Sequence, residues 1–229
     1  MSTVTGSSTG SSKESKGWQG VSDDWGGEIE AFRDVPWGKA MMWIFLLSDT
    51  FIFSCFLVSY MTVRMSTTVD WPLTSEVFAL TVNGVHVPLL LIAIMTFILI
   101  TSSGTMAMAV NYGYRRDKKK TFWLMLVTAI LGASFVGMQA FEWSKLIEEG
   151  VRPWGNPMGA AQFGAAFFMI TGFHGLHVSI GVIYLLVVAF KVKRGDYDDT
   201  GFEIVEITGL YWHFVDLVWV FIFAFFYLW

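Results

Sequence analysis

A single cysteine, Cys55, occurs in the 229 residues, and it lies inside an apolar run. An intrachain disulfide, a thiolate metal cage and an attached c-type haem are thereby excluded, and the thiol reads as a small buried hydrophobe. Charge is equally scarce. Only 15% of the residues are Asp, Glu, Lys or Arg, against about 25% in soluble proteins, while 54% are hydrophobic and 17% aromatic. With a mean hydropathy of +0.54, much of this surface must face lipid rather than water. The net charge of -4 is small, and without a basic arm or nucleic-acid motif no nucleic-acid partner is expected. Proline is the third shortage: Pro36, Pro72, Pro88, Pro153 and Pro157 are all that occur, and none falls in the middle of an apolar run. Carriers with broken helices mark their midplane site by Gly/Pro interruptions in paired segments; neither these nor an internal repeat is present.

What the chain does have is five long apolar stretches, at about 39–63, 86–110, 121–143, 159–190 and 204–229. Each reaches the roughly 20 residues that cross a bilayer core. The fold class expected is therefore all-α, a polytopic transmembrane bundle of five continuous helices, with Pro88 in the first turn of the second, where its missing N–H costs little. Residues 1–35 form a polar tail, opening on a Ser/Thr/Gly tract, that is expected to be disordered or bound to a partner. No apolar stretch of signal-peptide type follows it. Residues 36–229 form the membrane domain.

Twelve of the fifteen Lys and Arg residues fall on one side of these spans, including Lys39, the Arg115–Lys120 cluster, Lys191 and Arg194; Arg64, Lys145 and Arg152 fall on the other. The positive-inside rule then puts the N-terminus in the cytoplasm and the C-terminus outside. Cations at the cytoplasmic ends of helices can hold anionic lipid headgroups, and Lys39, Lys191 and Arg194 are candidates, with plain interfacial snorkelling as the rival reading. The Arg115–Lys120 cluster reads as a topology determinant.

Asp49, His174, His177, His213 and Asp216 each lie within a few residues of a span centre, so at about 1.5 Å per residue they share one depth. An ionisable group there costs on the order of 3 kcal/mol and should face other helices. His174 and His177 share a helix face with Thr171 and Gly181, small or polar residues that admit a close neighbour. His213 and Asp216 repeat the spacing. Three readings stand side by side: a hydrogen-bonded interhelical network, a proton path or lipid contact, and a metal site. The donor set is poor for metal. A diiron bundle needs two Glu-x-x-His pairs and two further Glu, and Glu142 lies near the outer end of its helix.

The segments Thr171-Gly172-Phe173-His174-Gly175-Leu176-His177-Val178 and Tyr211-Trp212-His213-Phe214-Val215-Asp216-Leu217-Val218-Trp219 resemble the signature pair of the cytochrome oxidase subunit III family. Gln139-Ala140-Phe141-Glu142-Trp143, Pro88 with Ser102-Ser103-Gly104, and Gly201-Phe202-Glu203 support the match, which runs in order over residues 36–229. In the first span the family has Ser-Glu where this chain has Ser48-Asp49. The resemblance is to the short five-helix bacterial form, since a polar tail stands where seven-helix members carry two further helices.

This resemblance implies a multi-pass chain of the bacterial plasma membrane that is not itself catalytic. Its expected partners are oxidase subunit I, which holds haem and copper and pumps protons, subunit II, and small subunits or a supercomplex. The chain itself is expected to carry no cofactor or metal, to bind phospholipid, and to use Asp49, Glu142, His174, His177, His213 and Asp216 as an intramembrane polar network. Lys39 and Lys191 fall at positions that resemble lipid-headgroup contacts. Cytochrome c is the expected donor complex, with a quinol oxidase or a relative associated with nitric oxide reductase as alternatives. A membrane metal oxygenase and a small transporter are the remote ones.

Overall fold

The computed structural model describes residues 36–72, 77–82, 85–157, 159–198 and 201–228, the side chains of 79–82 and 85–88 excepted. The proposed N-terminal tail lies outside the described residues. Two compact units are distinguished, Met1–Ala40 and Met41–Trp229. Of the first, the described part is Pro36 and the opening turn of a helix, in which the Lys39 and Ala40 N–H groups donate to the Pro36 carbonyl.

Five helices account for most of the described chain: α1 (Trp37–Ser66), α2 (Leu90–Tyr114), α3 (Lys118–Glu148), α4 (Ala161–Arg194) and α5 (Glu203–Phe223), the last continued by a π-helical turn, Ala224–Leu228. Each is long and apolar enough to cross a membrane, so the chain is a multi-pass membrane protein. Their exposed faces carry residues such as Leu47, Phe97, Ile130, Ile183 and Leu217, as lipid-facing helices should.

The second apolar stretch does not begin as expected. Residues Ala79–Val82 (β1) pair antiparallel with Val85–Pro88 (β2), in register from Ala79 opposite Pro88 to Val82 opposite Val85. Pro88 thus ends a strand instead of opening a helix, and α2 starts after Leu89, whose φ is 60°. The backbone bonds of this stretch are made across the hairpin, so the helix need not begin until Leu90.

Within Met41–Trp229, α2 packs on α3 and α5, α3 on α4, and α4 on α5. Small residues let the large ones in. Trp212 of α5 is buried between Gly132 of α3 and Gly181 of α4: a methyl group on Gly132 would overlap the indole edge, and one on Gly181 would come within 3.0 Å of both Trp212 and Tyr211. Gly209 receives Val110 of α2 in the same way. The buried residues of α1 form one stripe, Leu46, Asp49, Phe53 and Tyr60, which meets α4 through Phe53 and Phe173 and the C-terminal turn through Tyr60 stacked on Phe226 at 3.9 Å. Cys55, off that stripe, is exposed, so the expected buried thiol faces outward. Between α1 and α5 an apolar groove of about 510 Å³ remains, walled by Leu57, Met61, Phe214, Leu217 and Phe221 among others.

The turns follow local chemistry. Arg116 takes a φ of 57° between α2 and α3, and Asp117 then caps α3 by accepting from the Lys120 N–H. Gly195, at φ 90°, closes α4 with its N–H directed at the carbonyls of Lys191 and Val192, a left-handed cap that costs glycine least.

Candidate functional site: the intramembrane polar groups

Asp49 of α1 and His177 of α4 meet, with Oδ1 and Nε2 3.4 Å apart. The opposite ring nitrogen, Nδ1, lies 2.8 Å from the Phe173 carbonyl. A carbonyl can only accept, so Nδ1 carries hydrogen. One proton must therefore lie between Nε2 and Asp49, as a carboxylic acid facing an imidazole or as a carboxylate facing an imidazolium. Either way the pair has no net charge, which is what a low-dielectric layer tolerates. Tyr211 of α5 donates to the His177 carbonyl at 2.9 Å, tying the third helix to the same place.

His213 is 2.6 Å, Nδ1 to Oγ, from Ser103 of α2. Asp216, one turn on, is half-buried and has one carboxylate oxygen, Oδ1, buried without a protein partner. Above and below, α5 is pinned to α2 by two indoles: Trp212 Nε1 donates to Ser102 at 3.0 Å and Trp219 Nε1 to Thr96 at 3.0 Å.

His174 is fully buried, yet neither ring nitrogen has a hydrogen-bond partner among the described residues. Its ring stacks on Trp219 at 5.3 Å and takes Phe135 edge-on at 5.9 Å. It is held by aromatic faces instead.

Glu142 anchors a separate group toward the far end of α3. Its Oε2 accepts from Gln139 at 2.7 Å and from Tyr227 at 3.1 Å; the other oxygen is buried without a partner beside a small cavity of about 20 Å³ shared with Lys145, Phe78 and Ile92. That is room for one water.

The sequence-predicted residues are thus divided among several hydrogen-bonded groups, not joined in one continuous net: Asp49 with His177, His213 with Ser103, Glu142 with Tyr227, and His174 among rings. Ser103 and Tyr227 were not singled out as partners. Ser103 is an ordinary helical serine by composition, and Tyr227 reaches Glu142 only because the helix widens into the π turn. No three His, Cys, Asp or Glu side chains converge as a metal would require among the described residues. Of the cations, Lys39 lies half-buried in the first turn of α1, Lys191 is exposed, and Arg194 presents its guanidinium fork to Asp196 at 2.9 and 2.7 Å.

Five lipid-facing helices with paired ionisable groups in their interior define a class, the polytopic membrane subunits that are stabilised by buried polar contacts. The particular family follows from comparison. The family model of cytochrome c oxidase subunit III matches residues 33–229, and the chain belongs to that family. Among curated proteins it is similar to the "Probable quinol oxidase subunit 3" of Staphylococcus aureus (strain USA300), 34% identical over 188 residues, 81% of this chain and 86% of the relative. The protein of the same name from Staphylococcus epidermidis is 35% identical over the same length.

Proposed function

We propose that this chain is the cofactor-free accessory subunit III of a proton-pumping haem-copper terminal oxidase in a bacterial plasma membrane, with haem and copper confined to its partners. The observation that carries this reading is the family match across the whole membrane domain. The described polar groups support a structural role: each pairs within the bundle or is enclosed by rings, and no open cleft leads to them. The chain stiffens the catalytic subunit I by presenting it with a bundle whose helices are fixed in register, and the groove between α1 and α5 suits an acyl chain. Lys39, Lys191 and Arg194 serve the headgroups, Arg194 by exchanging Asp196 for phosphate. The N-terminus is cytoplasmic.

Cytochrome c is the donor in the first reading. The printed names of the curated relatives favour a second, in which the donor is a quinol. Purification in mild detergent through a tag on this chain decides both matters. Haem and oxygen consumption in the eluate, lost when the chain is isolated alone, are the expected result; stoichiometric metal on the lone chain would overturn it. Activity with reduced cytochrome c but not with a quinol selects the first donor, and the reverse selects the second.

A further inference from the structure

At the turn between α2 and α3 an open groove of about 510 Å³ is lined by Met108, Tyr112, Lys119, Lys120, Trp123 and Leu124. Its two ends differ in chemistry. At the turn end stand the lysines, and Lys120 lies 4.7 Å above the Tyr112 ring, which Arg115 approaches at 5.8 Å. Toward the bilayer the walls are Met108, Trp123 and Leu124, and Met108 and Trp123 are 49% and 63% exposed.

The charges here are badly balanced. Arg115, Arg116, Lys118, Lys119 and Lys120 crowd one turn. The carboxylates that answer them are Asp117, 3.4 Å from Lys120, and Asp198, paired with Lys118; Glu206 takes the Tyr114 hydroxyl. Lys119 forms no ion pair with a described carboxylate. Moreover, Lys118, Lys119 and Lys120 are the first three residues of α3, and no acidic side chain occupies its first turn. A helix begins at its positive end, where cations are unfavourable and anions favourable, so an uncompensated lysine cluster there sits in a field that an added anion would relieve.

We propose that this groove binds one anionic phospholipid, Lys119 and Lys120 holding its phosphate while the first carbons of an acyl chain run along Met108, Trp123 and Leu124. The division of the groove into a cationic end and an apolar, laterally open end fits an amphiphile with a negative head. A soluble anion would leave the apolar walls unused, and a neutral lipid would leave Lys119 unanswered. The site rests on membrane placement alone, so it stands whichever electron donor the complex uses. It also differs from the groove between α1 and α5, which has no lysine in its walls.

The test uses the intact oxidase complex in nanodiscs, with phosphatidylglycerol or phosphatidylcholine bearing a photoreactive group on the acyl chain. Crosslinks mapped by peptide mass spectrometry are expected in the segment from Met108 to Leu124 with phosphatidylglycerol, and about tenfold fewer with phosphatidylcholine or in K119Q/K120Q. K119R/K120R should restore them. Met108→Trp, which fills the groove and keeps both lysines, should abolish them. Equal labelling by the two lipids, labelling unchanged in K119Q/K120Q, or full displacement by excess inorganic phosphate would each overturn the proposal. If K119Q/K120Q fails to assemble, the comparison of the two lipids on the wild-type complex decides alone.

Discussion

His177 cannot be neutral and donate hydrogen on both sides at once. Since the Phe173 carbonyl takes its Nδ1 hydrogen, whatever stands at position 49 must supply the hydrogen at Nε2 or accept one from a charged ring. Asp49→Asn should therefore be well tolerated, because an amide N–H can donate to the imidazole. Asp49→Leu leaves Nε2 unpaired in the interior and should cost about 1–3 kcal/mol, seen as a lower thermal midpoint of the purified complex. Equal midpoints for the two variants would refute the proton assignment. Tyr227→Phe removes one of the two donors to Glu142 and should be destabilising by about 1 kcal/mol or slightly more, by the same assay.

At the scale of elements, contacts between helices depend on where glycine admits an aromatic ring. Gly132→Ala and Gly181→Ala each drive a methyl group into Trp212 and should lower stability by about 1–3 kcal/mol. Gly104→Ala, on the same type of helix but with nothing near its position, should be neutral or slightly stabilising. Differential scanning of the three complexes separates the outcomes. The cap of α3 makes a pH prediction. The Lys120 backbone N–H, and after it the Lys120 ammonium, hold the Asp117 carboxyl below the ordinary carboxylate range. A carboxyl whose folded value lies below its unfolded one stabilises fully above about pH 4 and loses that contribution as the pH falls through the folded value. Exchange of the Lys120 amide should accelerate, relative to its intrinsic rate, on that acid limb; Asp117→Asn, an equal cap without a titrating group, should remove the effect.

The helices themselves were legible because apolar runs of this length have few other uses. Gly181 was legible as a close-approach position, and it meets Trp212. The hairpin was missed because Val85 and Val87 extend the apolar run that becomes α2, although the Asn83-Gly84 dipeptide between the two strands is a hairpin signal. The pairings of the polar groups were legible only as a shared depth. Depth follows from counting residues, whereas partnership depends on rotation about each helix axis, which places Ser103 and not Asp216 against His213 Nδ1.

For the whole molecule, the charge asymmetry of the loops predicts a sidedness that labelling can check. In a chain with Cys55 replaced by serine, a cysteine at Arg116 should react with a membrane-impermeant maleimide only in inverted vesicles, and one at Glu149 only in right-side-out cells. The opposite pattern would reverse the orientation. The π turn at the C-terminus has a further consequence. A π turn spends one residue more than the helix requires, so it acts as a phase adjuster between the last helix and α3. Deleting Ala224 would allow an ordinary α-turn and rotate everything beyond it by about 100°, swinging the Tyr227 hydroxyl off Glu142 and Phe226 off Tyr60 together. A single residue removed from this end should thus do what neither point substitution does alone, unlatching α5 from α3 and from α1 in one step.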